Sequence, residues 1–142
     1  MRTGGTGLGL ADFSGHWRLS RRIEAGSGST ATLDGTAKFA GSARGLEYLE
    51  AGMLRIAGQN PVAAERRAIW VLAGSAISVL FADGRAFHRF DGADPEPVVR
   101  HDCAPDLYLG QYDFRDWPDW SLTWQVSGPH KAYRTVSTFR RT

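Results

Sequence analysis

The chain has 142 residues, a length suited to one domain around one hydrophobic interior, and no linker or second core interrupts it. A net charge of +2, with basic residues spread along the chain and only Arg140-Arg141 locally basic, excludes a nucleic-acid footprint. A single cysteine, Cys103, excludes an intrachain disulfide, and no run of about 18 apolar residues suggests a membrane span.

Seven Phe, five Trp and four Tyr supply large interior side chains, while 17 Gly and six Pro are scattered singly as turn punctuation. This is the composition of an all-β chain. Met1 to Leu10 is Gly-rich and has no apolar signal-like run, so the expected location is cytoplasmic. Residues 1–12 read as a flexible leader and residues 13–142 as one β-barrel domain.

From Trp17 onward, segments alternating apolar and polar residues are separated by short turn clusters, as in an antiparallel meander. Predicted strands cover residues 16–24, 30–40, 45–56, 62–73, 75–82, 85–91, 98–103, 106–114, 119–127 and 131–141. Asp83-Gly84 predicts a two-residue type I′ hairpin with positive φ at both positions, setting Leu80 opposite Phe87 and Val79 opposite His88. Apolarity assigns the inner faces. They are Trp17, Leu19, Arg21 and Ile23; Leu33, Gly35, Ala37 and Phe39; Leu46, Tyr48, Glu50, Gly52 and Leu54; and Arg66, Ala68, Trp70 and Leu72. Later strands add Tyr108, Gly110, Tyr112 and Phe114, then Trp120, Leu122, Trp124 and Val126, then Tyr133, Thr135, Ser137 and Phe139.

An open meander of this length leaves two unpaired edges, which closure removes, and closing a pure meander needs an even strand number. The expectation is therefore a closed, antiparallel, up-and-down barrel of about ten strands.

Gly15-His16-Trp17 resembles the Gly-x-Trp signature of the calycin group, which comprises lipocalins, fatty-acid-binding proteins and avidins. The resemblance implies that Trp17 plugs one end of the barrel beneath an Arg from the last strand, Arg140 or its neighbour Arg141. The segments 13–17, Leu80 to Arg85, Phe87-His88, Asp106 to Tyr108 and Gly110 to Phe114 also look like an uncharacterised bacterial domain family, which implies the fold and leaves the activity open. Only Ala25 to Ser29 join the first two strands, so no helical lid is expected. The lidless, haem-binding nitrobindins are the nearer comparison.

Polar residues on an inner face are costly unless paired or wetted, so they carry the functional expectation. Arg21, Glu50, Arg66 and His88, with Tyr48, Trp70, Tyr108, Tyr112, Trp124 and Tyr133, predict an aromatic cavity with a few anchoring groups. Such a site suits a small apolar or amphipathic ligand, with an arginine available for a carboxylate. The alternative is that Glu50 and Arg66 satisfy one another and rings fill the barrel. Inward Gly35, Gly52, Gly110, Ala37, Ala68 and Ser137 argue for empty volume or, equally, for strand bends.

His88 suits a hydrogen-bonded core residue, a general acid or base, or a haem ligand, haem being the one cofactor left open. His101-Asp102-Cys103 does not make a zinc site, because successive strand residues point to opposite faces. No catalytic motif is present, so no catalytic residue is assigned and an enzyme is not the first expectation. A lyase, isomerase or cyclase using His88, Glu50 or a Tyr is the alternative. A third reading is a homodimer joined through outward Leu49, Met53, Ile69 and Val71; nucleic-acid and membrane partners are not expected.

Overall fold

The structure, a computed structural model, describes residues 7–142. Ten strands follow in chain order: β1 (Gly15–Ala25), β2 (Thr30–Gly41), β3 (Leu46–Ile56), β4 (Val62–Ala73), β5 (Ala76–Phe81), β6 (Ala86–Asp91), β7 (Val98–Cys103), β8 (Asp106–Asp113), β9 (Trp120–Ser127) and β10 (Ala132–Arg141). All form one sheet in which chain neighbours pair antiparallel and β1 pairs with β10. Among the described residues the one break is a seam between β6 and β7, which share no ladder. The expected closure therefore holds everywhere else, and rings span the seam, with Phe87 5.1 Å from His101. No helix among the described residues is long and apolar enough to cross a membrane.

Alternation in the sequence becomes alternation of burial: Trp17 and Leu19 are buried on β1 while Arg18 and Ser20 face water. Leu72 is a correction, because at 63% exposure it lies outside the interior to which its apolarity assigned it.

One end of the barrel is filled with aromatic rings. Phe13, at the end of a short 3-10 helix (Leu10–Phe13), lies 5.1 Å from Trp70 and from Trp117 and 5.5 Å from Trp120. Trp120 stacks on Phe139 at 3.9 Å. Trp17 is fully buried, and its indole N–H donates to the Phe13 carbonyl at 2.9 Å. Of the segment expected as a leader, residues 1–6 lie outside the described residues. Leu8, by contrast, is buried and donates its N–H to the Gly92 carbonyl at 2.9 Å.

The guanidinium over Trp17 belongs to Arg141, 3.8 Å from the ring, and not to Arg140. Register decides between them. Arg141 stands opposite Trp17 on the same face, whereas Arg140 stands opposite Arg18 and points outward. Arg141 also donates to the Ser14 carbonyl at 2.7 Å and the Asp12 carbonyl at 2.6 Å, tying the last strand to the chain entry. Gly15 has φ +112°, and a Cβ there would come within 2.9 Å of the Arg141 guanidinium. The Gly-x-Trp signature is thus a single packing unit with Arg141.

Replacing Trp17 with Ala should cost about 3–5 kcal/mol in urea unfolding, as for other buried aromatics. Arg141→Ala should cost about 1–2 kcal/mol and Arg140→Ala less than about 0.5 kcal/mol. Equal effects at the two arginines would contradict the assignment.

Candidate functional site

The other end of the barrel is less completely walled, and unequal strand lengths make it so. β5, β6 and β7 have six residues each, whereas β1 to β4 have 11 or 12. Residues 62–67 of β4 pair with β3 but have no ladder partner on the other side among the described residues, because β5 begins its pairing with β4 at Ala68 opposite Phe81. The wall is notched there, and inner side chains toward that rim, called the mouth below, are only half-buried. Leu54, Ala64, Phe87, Tyr108, Leu122 and Tyr133 are half-buried around it.

A charged cluster forms the floor of the mouth. Glu50 is only 4% exposed, and its carboxylate accepts two hydrogen bonds from Arg21, at 2.6 and 2.9 Å, and one from the Tyr48 hydroxyl at 2.6 Å. Arg21 Nε–H donates to Ser137 at 2.6 Å. Burial alone would raise the Glu50 pKa, but the bonds and charge of Arg21, the Arg66 charge and the Tyr48 bond outweigh it and hold the carboxyl below its ordinary value. Burial, and then the Glu50 charge, push Tyr48 well upward, so its hydroxyl keeps its proton.

The expected Glu50–Arg66 pair is therefore not the one made. Arg66 stands opposite Glu50 in register but is exposed, while Arg21 reaches from β1, beyond β2, to take both carboxylate oxygens.

His88 and Tyr112 lie deeper. His88 is 8% exposed, and its Nε2 is 2.7 Å from the Tyr112 hydroxyl. Burial, with a smaller contribution from the His101 charge, drives the His88 pKa down to about 3, and burial raises that of Tyr112. Both are therefore neutral across the physiological range. His88 Nδ1 is left with no hydrogen-bond partner among the described residues.

The turn that positions His88 differs from the expected type. Only Gly84 has positive φ, +92°, and Phe81 N–H bonds the Arg85 carbonyl around a three-residue loop. Asp83 accepts the Arg85 N–H at 3.0 Å, which favours the negative-φ turn at its own position. Val79 still faces His88, but Leu80 faces Ala86, and the register shift leaves Phe87 as an extra, unpaired residue. The Phe87 ring stacks on Trp124 with centroids 5.1 Å apart, so the bulge supplies an aromatic wall that a regular hairpin would have turned outward.

Of the residues expected to form the site, Arg21, Tyr48 and Glu50 bond directly. Arg66, Tyr108, Trp124 and Tyr133 border the mouth. Trp70 and Tyr112 belong to the filled half, where Trp70 lies 4.9 Å from Phe39 and Tyr112 lies 4.5 Å from Phe90. The inward glycines do not leave empty volume. A Cβ on Gly35 would run into the Ala51 carbonyl, one on Gly52 would lie 2.5 Å from the Asp34 carbonyl, and one on Gly110 would meet the Trp124 ring at 2.7 Å. They mark a close approach of β2 to β3 and the seat of an indole. Sequence patterning missed Phe87, whose signal is the hidden bulge, and the half-buried inward face of His101.

The fold is that of a lipocalin-like barrel, filled with rings at one end and notched at the other. Residues 13–141 match a family of unknown function (DUF6314), and the chain belongs to that family. No curated protein matches it closely enough to be counted a relative. Among solved structures it is similar to the S-type phycobiliprotein lyase CPES from Guillardia theta, with 9% identity and a TM-score of 0.65 over 94% of this chain and 90% of that one. At that identity the likeness is one of fold.

Glu50→Ala should destabilise the protein by about 3–5 kcal/mol, because it strands the Arg21 guanidinium in a buried place. For His88 the sign runs with acid. The folded pKa lies below the unfolded value of about 6.5, so the unfolded state takes the proton first. Unfolding free energy should then fall by up to about 1.4 kcal/mol per pH unit from pH 6 towards 4, with a visibly shallower slope in His88→Gln, read from urea titrations.

Proposed function

We propose that this barrel binds a small amphipathic molecule in its mouth, against Phe87, Trp124, Tyr108, Leu122 and Tyr133 and above the Arg21–Glu50–Tyr48 floor. The observation that carries the reading is the contrast between the two ends. Rings fill the plugged end, whereas the inner face of the mouth keeps large apolar side chains half-exposed beside satisfied polar groups. That combination is characteristic of ligand sites. The likeness to a protein named a phycobiliprotein lyase supports a barrel of this shape serving small-molecule chemistry.

Binding is favoured over catalysis by the state of the two groups best placed to act as acid or base. His88 titrates near 3, and Glu50 is held down by two arginines and a tyrosine, so neither is poised near neutrality. Haem ligation by His88 has less support, because Nε2 is taken by Tyr112.

Titration with 8-anilinonaphthalene-1-sulfonate, followed by its fluorescence, tests the site. One saturable site is expected, weakened about tenfold in Tyr133→Ala and unchanged in Leu109→Ala on the outer face. Absence of saturable binding, or equal loss in both variants, would overturn the reading.

A further inference from the structure

Resting on the reading that the mouth holds the ligand, we propose that Arg66 and the unpaired backbone edge of β4 form a monoanion subsite, and that the ligand is an aromatic molecule bearing one carboxylate. Arg21 and Glu50 cancel at the floor, and Arg66, opposite Glu50 in register but exposed, adds one positive charge. Arg21 and the Tyr48 hydroxyl already occupy Glu50, and no carboxylate lies within ion-pair distance of Arg66 among the described residues. The neighbouring cations are engaged. Lys131 pairs with Asp106 at 3.2 Å, Arg134 with Glu24 at 3.5 Å, Arg85 with Asp83 at 2.7 Å and Arg67 with Glu65 at 3.4 Å.

Arg66 lies on the inner face in register with Glu50, and its charge is felt by Glu50, Tyr48 and Tyr133 alike, which sets the guanidinium over the mouth. Beside it, residues 62–67 expose one side of their backbone to the notch, so alternate N–H groups are free to donate there. A guanidinium fork next to backbone N–H groups fits the two oxygens of a carboxylate. The single uncompensated charge matches a carboxylate better than a phosphate monoester, which carries about −1.5 to −2 at neutral pH. The aromatic body would lie against Trp124, Phe87 and Tyr108.

Coumarin-3-carboxylate and its uncharged carboxamide serve as probes in a fluorescence titration. Wild-type protein should prefer the carboxylate by about tenfold or more, the scale of one charge-assisted hydrogen bond. Arg66→Gln should shrink the preference to within about twofold while carboxamide affinity holds, and Arg66→Lys should keep part of it. Arg55→Gln, on the outer face of β3, should keep all of it. Equal affinity of wild type for the two probes, or a preference that survives Arg66→Gln, overturns the subsite and leaves the mouth reading standing. Failure of wild type to bind either probe overturns both.

Discussion

A meander of hairpins becomes a container only where its first and last strands pair. The β1–β10 ladder does this here, and the packing of Arg141 on Trp17 locks its closed end. The guanidinium that covers the indole also bonds the carbonyls of Asp12 and Ser14, so one side chain joins the C-terminal strand, the entry turn and the aromatic plug. Phe13 and Trp17 are then fixed at the centre of the plugged end. With that end full of rings, the proposed binding site lies at the opposite one.

The architecture was legible in the sequence because antiparallel strands with one buried face must alternate, and this chain alternates with little interruption. Val62 to Ala73 and Val98 to Cys103 occur at the predicted limits. The β1–β10 closure followed from the cost of unpaired edges, although β6 and β7 each keep one at the seam. Details that depend on one residue of register were not legible. Asp83-Gly84 fits two turn types, and choosing the wrong one hides the bulge that brings Phe87 into the mouth. Arg140 and Arg141 are adjacent in sequence and on opposite faces in space. Likewise, inner-face assignment brought Arg21, Glu50 and Arg66 together but could not decide which arginine takes the carboxylate. That choice depends on the reach of a side chain from β1, beyond β2, to β3, which no strand pattern encodes.

Charge within the barrel is divided between the buried floor and the proposed anion subsite. Glu50 and Arg21 are expensive to bury and are satisfied almost completely by one another, Tyr48 and Ser137. They form a rigid polar floor. Arg66 is exposed on β4 and has no carboxylate within ion-pair distance among the described residues. The short β5–β6 hairpin leaves residues 62–67 of β4 without a second ladder partner among the described residues, a notch where some barrels of this general shape carry a lid. His88 and Tyr112, 2.7 Å apart, are both kept neutral by burial.

The central claim is that this barrel is sealed at one end and accessible at the other. It is most directly measured by solvent paramagnetic relaxation in NMR with a small neutral gadolinium chelate. The account expects strong relaxation of the side-chain protons of Leu54, Tyr108 and Tyr133, and almost none for Trp17, Leu19 and Trp70. Protection of both groups, or relaxation at Trp17 comparable to that at Tyr133, would contradict it.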